Sequence, residues 1–268
     1  VTPILLALAL QASTPPTPTA DAAAIARYRE CSGLVSTSPE RAVDTANAWL
    51  IQGGDLYARA CLGLAYTALD RWAPAATVYE QAARAAESAS DPRRADFWVQ
   101  SANAWLAAGD PARAIQAFDS ALATTSLADE LRGEAHIDRA RAQVALGNMA
   151  GARQDLDRAL RLVADDPMAW YLSAGLALRG NDLARAGTDI ARARALGVDN
   201  PDIMLLAGTI AGRSGNMEEA ERLYRLIVAQ APDSEAGRQA RESLATLREV
   251  EVPAPAAATP QPAPTPPR

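Results

Sequence analysis

The sequence predicts an all-α fold, an α-solenoid of antiparallel helix pairs with disordered N- and C-terminal tails, and three observations carry that prediction. A small residue followed by a large one four positions on, and by another small one three further, recurs along the middle of the chain: Ala75, Tyr79 and Ala82; Ala114, Phe118 and Ala121; Ala152, Leu156 and Ala159; Ala186, Ile190 and Ala193; and, in part, Ala220 and Tyr224. The leading residues 75, 114, 152, 186 and 220 are spaced by 39, 38, 34 and 34 residues, and a fixed period of that size marks a stack of similar helix pairs. The composition agrees, because 49% hydrophobic residues with only 5% aromatics describe a core closed by small side chains on close-packed helices. Proline completes the picture: four of 18 precede residue 19 and seven lie between Pro253 and Pro267, so the long middle is nearly free of helix breakers.

Taken in order, residues 1–20 combine the short apolar run Val1 to Ala12, most apolar from Ile4 to Leu10, with the Pro/Thr-rich stretch Ser13 to Thr19, a pattern like the core of an export signal although no basic residue precedes it. The run is too short to span a bilayer. Residues 21–55 read as a degenerate helix pair with Ala42, Ala46 and Trp49 on one face, and Gly53-Gly54 as the turn that ends it. Five helix pairs follow over 56–233. Gly109, Gly147 and Gly215 each stand just before Asp110, Asn148 or Asn216, which supplies a left-handed stop and then an N-cap. Residues 234–250 form one amphipathic helix with Ala240, Leu244 and Leu247 apolar, the cover that a last repeat requires. From 251 to 268 the chain is Pro-rich and suited to an extended spacer.

Leu62-Gly63 and Tyr66, Trp98 and Trp105, Trp170, Gly208 and Pro232, together with the small-large-small triplets, resemble the tetratricopeptide repeat (TPR). The resemblance implies a right-handed, TPR-like superhelix. It is weakest around His136, where Arg139 and Gln143 replace the expected apolar residues.

Chemistry is hard to place on this chain. His136 is the sole histidine, which excludes a histidine-based metal site and leaves no second imidazole for acid-base work. Phosphate-binding loops, nucleophile elbows and paired catalytic carboxylates are missing, so the expectation is a non-enzyme without cofactor or metal. All 26 basic residues are arginine, yet the net charge is −6, which argues against nucleic acid. Cys31 and Cys61 fall on first helices of neighbouring repeats and are candidates for a disulfide, the alternative being two small buried side chains. Such a bridge would suit an exported, periplasmic protein; a cytoplasmic one remains the alternative.

The resemblance also implies a site, since in the tetratricopeptide family first helices line a concave groove for partner peptides. Carried onto this chain, the groove positions are Tyr57 and Leu64; Asp96, Val99 and Asn103; Glu134, Ile137 and Arg141; Met168, Tyr171 and Leu178; and Asp202, Leu205 and Thr209. Asn103 matches a position that holds a peptide backbone in family members. The lysines that clamp a terminal carboxylate in chaperone-binding members are absent, with no obvious pair of groove arginines in their place. The expected partner is a protein or peptide, bound by an adaptor or scaffold, with a structural or self-assembling module as the alternative.

Overall fold

The computed structural model describes residues 20–251 except 126, 198 and 199. The segments 1–20 and 251–268 therefore lie outside the described residues, apart from Ala20 and Glu251, which are helical. The chain divides into two compact units, Val1–Leu127 and Ala128–Arg268. The first holds α1 (Ala20–Val35), α2 (Pro39–Ile51), α3 (Leu56–Ala68), α4 (Trp72–Ser88), α5 (Arg94–Ala107) and α6 (Pro111–Leu122). The second holds α7 (Asp129–Ala145), α8 (Met149–Leu162), α9 (Pro167–Arg179), α10 (Leu183–Leu196), α11 (Pro201–Arg213), α12 (Met217–Gln230) and α13 (Glu235–Glu251). Within each unit consecutive helices pack on one another, and among the described residues every regular element is helical, so each unit is an all-α solenoid.

The pairs are cut by one turn used five times. Asp70, Gly109, Gly147, Asn181 and Gly215 all take positive φ (54°, 77°, 76°, 60° and 83°), at the same 39, 38, 34 and 34 spacing as the core alanines. The residue after each donates its backbone N–H back into the preceding helix, Arg71 to Tyr66, Asp110 to Trp105, Asn148 to Gln143, Asp182 to Ala177 and Asn216 to Ala211, each at 2.9 Å. These bonds satisfy carbonyls that a helix end leaves orphaned. Asp110, Asn148, Asp182 and Asn216 then accept the N–H of the residue three further on, starting the second helix.

Behind each turn the triplets pack as their spacing requires. Ala75, Ala114, Ala152, Ala186 and Ala220 are all fully buried, letting paired helices approach closely, and Tyr79, Phe118, Leu156, Ile190 and Tyr224 fill the space beside them. First helices adjust to the size of that plug. Where it is tyrosine the facing residue is glycine: a Cβ on Gly63 would stand 2.5 Å from the Tyr79 ring, and one on Gly208 would stand 2.6 Å from that of Tyr224. Ala102, Ala140 and Ala174 hold the equivalent place opposite phenylalanine, leucine and isoleucine.

Arg139 and Gln143 turn out to be satisfied polar substitutes. Asp155, only 2% exposed, accepts Arg139 Nε at 2.9 Å and sits 3.0 Å from His136 Nδ1, while Gln143 accepts the Asn148 side-chain amide at 2.7 Å. Burial alone would raise the Asp155 carboxyl, but hydrogen bonds from His136 and Arg139, with the charge of both, hold it below the ordinary aspartate range. Thirty-four residues later the same two positions are Ser173 and Asp189, again hydrogen-bonded to each other, with Arg153 donating to Ser173.

At the start of the first unit, Cys31 on α1 and Cys61 on α3 are joined as a disulfide with Cα atoms 6.2 Å apart, fully buried among Ala42, Val43 and Ala46 of α2. At the end of the second, α13 lays Ala236, Ala240, Leu244 and Leu247 against Met204, Tyr224 and Ile227.

Candidate functional site

Within the second unit, the first helices α7, α9 and α11 wall a cleft of about 610 Å³. Its floor is aliphatic, from Ile137 and Val144 on α7, Leu172 and Leu176 on α9, and Leu206 on α11. Its lining also includes Tyr171 and three exposed arginines, Arg141, Arg179 and Arg213. Arg141 pairs with Asp138 at 3.0 Å, and Arg213 donates to the neutral Asn181 amide at 3.1 Å. Arg179 has no hydrogen-bond or ion-pair partner among the described residues. Tyr171 is half-buried, and that desolvation, helped by the negative charge of Asp202, raises its hydroxyl above the ordinary tyrosine range. Gly175 opens the middle of the cleft: a Cβ there would meet only Leu206, at 3.8 Å.

The first unit has a smaller aromatic pocket of about 290 Å³, in which Tyr57, Leu64 and Asp96 meet Tyr28, Tyr79 and Phe97. The Tyr28 and Tyr57 rings lie 5.8 Å apart, and the guanidinium of Arg93 stands 4.4 Å over Tyr57, held there by Asp91 at 2.7 Å. Desolvation raises the Asp96 carboxyl against the opposing charge of Arg93.

These two pockets gather seven of the fourteen positions carried over from the repeat pattern. Tyr57, Leu64 and Asp96 share the aromatic pocket, and Ile137, Arg141, Tyr171 and Leu178 share the cleft. The others need correction or a different place. Val99 is 8% exposed and belongs to the core, because the exposed stripe of α5 runs through Asp96, Gln100 and Ala107, and Val99 lies about 100° around the helix from Gln100. Ile137 is closed off too, at 7%, and reaches the cleft only as floor. Leu205 packs toward the α12–α13 cluster, and Thr209 donates to the Leu205 carbonyl at 3.0 Å and lies 3.4 Å from Tyr224 Oη, so both serve the end of the second unit. Glu134, Met168 and Asp202 are exposed outside the cleft lining, and Asn103 is half-buried with no side-chain hydrogen bond among the described residues.

Reading the sequence missed Arg179, Arg213 and Leu206. The sequence offered no obvious pair of groove arginines in place of the missing lysines, whereas Arg179 and Arg213 join Arg141 in lining the cleft. The signal was present in the register, since Arg179 and Arg213 are 34 residues apart, each two residues before the positive-φ turn. Among the described residues no cluster of three or more His, Cys, Asp or Glu side chains could hold a metal ion, and no helix is long and apolar enough to cross a membrane.

Comparison with known proteins agrees with this architecture. Two family models described as tetratricopeptide repeat match residues 62–129 and 106–176. No curated protein matches the sequence. Similar solved structures include PilF of Pseudomonas aeruginosa, 18% identical, covering 83% of this chain and 98% of that one with a TM-score of 0.66. PilW, a widely conserved type IV pilus biogenesis factor, is 19% identical over 81% of this chain and 97% of its own, at 0.67. YrrB, a TPR protein with an unusual peptide-binding site, is 18% identical over 73% and 96%, at 0.55. With its repeated turn, its small-large-small cores and these matches, the chain carries tetratricopeptide repeats over residues 62–176, within an all-α solenoid fold.

Proposed function

We propose that this protein is a non-enzymatic adaptor that binds a polypeptide segment in the cleft of its second unit. The observation that carries the reading is the cleft itself, an open aliphatic floor walled by three first helices and bordered by arginines. Half-buried aliphatic side chains that line a concave cleft, with a few polar groups at its edge, have the character of a ligand site. Apolar side chains of the ligand would supply affinity, and the guanidiniums its orientation. The tetratricopeptide repeats and the peptide-binding description of YrrB support the same reading.

The test uses the room at Gly175. A Cβ at Gly175 meets only the Leu206 side chain, so Gly175→Trp, whose indole would fill the cleft, should keep the circular dichroism of the wild type. Affinity capture from host extract should recover a partner with the wild type and lose it with the plugged variant. Equal recovery by both sinks the cleft as the site, and concentration-dependent mass that the plug leaves unchanged would favour a self-assembling module instead.

We also place the protein in the cell envelope, outside the reducing cytoplasm. The buried Cys31–Cys61 bridge supports this, since such bonds persist in oxidising compartments, and the apolar run of residues 4–10 has the composition of an export signal. The likeness to a type IV pilus biogenesis factor is consistent with that location. Thiol labelling of the protein taken directly from cells and unfolded without reductant should find both cysteines blocked; free thiols would point to the cytoplasm.

A further inference from the structure

On the adaptor reading just given, we infer that the cleft of the second unit takes an internal, acidic segment of its partner, in which aliphatic or aromatic side chains alternate with at least two carboxylates. The charged groups lining the cleft are all of one sign: Arg141, Arg179 and Arg213, with no Asp or Glu among them, in a chain whose net charge is −6. Among the described residues the only carboxylate paired with any of the three is Asp138, on Arg141. Arg213 is held by a neutral amide and Arg179 by nothing described, so two guanidinium forks border an apolar floor without a counter-charge. A cation in the last turn complements the helix dipole, which accounts for Arg179 and Arg213 singly, yet Arg141 lies a turn earlier on α7 and borders the same floor.

Geometry favours carboxylate side chains over a single chain terminus. Packed helices lie roughly 8–10 Å apart, and α7, α9 and α11 are joined mainly through α8 and α10, so three successive first helices spread their guanidiniums over at least about 16–20 Å. An extended peptide crosses that distance in about five or six residues. One terminal carboxylate satisfies a single fork bidentately, whereas acidic side chains spaced along the segment can meet the arginines in turn while the apolar residues between them enter the floor.

The experiment is selection from a displayed library of random twelve-residue peptides with blocked ends, on the full chain, with Gly175→Trp as the plugged control. The wild type should enrich Asp and Glu interleaved with Leu, Ile or Phe. A synthetic winner, acetylated and amidated, should lose about tenfold in affinity for each of Arg179→Ala and Arg213→Ala, the size expected of a charge-assisted pair. Arg179→Glu/Arg213→Glu should turn the selected composition basic, a change that loss of folding cannot produce. Enrichment without acidic residues, sensitive to the plug but not to the arginine variants, overturns the acidic ligand and leaves the adaptor reading standing. Winners that lose affinity when amidated overturn the internal segment in favour of a terminal carboxylate. No enrichment over the plugged control overturns both, and winners that match a surface segment of this chain, with mass rising in parallel, overturn a foreign partner in favour of a second copy.

Discussion

Gly63 and Gly208 occupy the same position four repeats apart, and each faces a tyrosine ring so closely that a methyl group would not fit. Gly63→Ala should therefore cost roughly 1–3 kcal/mol of stability by overpacking, measured by denaturant unfolding, and Tyr79→Leu in the same chain should return most of it. If the double variant is no better than the single, the size-matching explanation fails. Tyr79 has a second consequence. Burial pushes its hydroxyl up to about 12, so the folded state keeps the proton that the unfolded chain releases near pH 10. Stability present below pH 10 is then lost between about pH 10 and 12, by on the order of 2–3 kcal/mol, and Tyr79→Phe should flatten that loss. At the acid end the sign reverses. Asp155 is held below its ordinary range, so its contribution persists above that range and disappears as pH falls below it. Asp155→Ala removes the buried carboxylate that His136 and Arg139 share and should cost about 3–5 kcal/mol. None of this pairing was readable beforehand, because Arg139 and Gln143 looked like departures from the repeat and their compensation lies sixteen residues and five residues away.

Helices and turns were the most legible level. The triplets announced the second helices because burial selects strictly for size at positions that face a neighbouring helix. The turn was read only where it carried glycine; Asp70 and Asn181 adopt the same left-handed conformation and escaped notice, since both residue types are also ordinary in loops. Asp70→Gly should raise stability by roughly 0.5–1 kcal/mol by relieving the side-chain penalty, and Gly147→Ala should lower it by about 1–2 kcal/mol. Thermal melts of the two variants that moved in the same direction would contradict the shared geometry. On the first helices the reading was less secure. A residue there can face the core, its pair or the open side within one turn, so the repeat pattern assigns Val99 and Leu205 to the groove where the structure buries the one and packs the other toward α12 and α13, and nothing local distinguishes Arg179.

At the scale of the whole molecule, two all-α solenoid units carry different features. The first is stapled by its disulfide, and closing a loop of that length is worth about 3–4 kcal/mol, so reductant should destabilise the wild type and leave Cys31→Ala/Cys61→Ala unmoved. The second carries the open cleft. An acidic chain that keeps three arginines around the apolar cleft of its second unit reserves that surface, on the proposal above, for a negatively charged partner, and added salt should weaken the complex accordingly. The general role was legible because repeats of this kind expose a wall of first helices; the chemistry of the ligand was not, because it depends on which side chains converge after folding. Methyl-labelled NMR of the protein titrated with its captured partner segment tests the claim most directly. The account predicts that Val144, Leu172, Leu176 and Leu206 shift together and that Gly175→Trp abolishes the response; shifts confined to the first unit, or to α12 and α13, would contradict it.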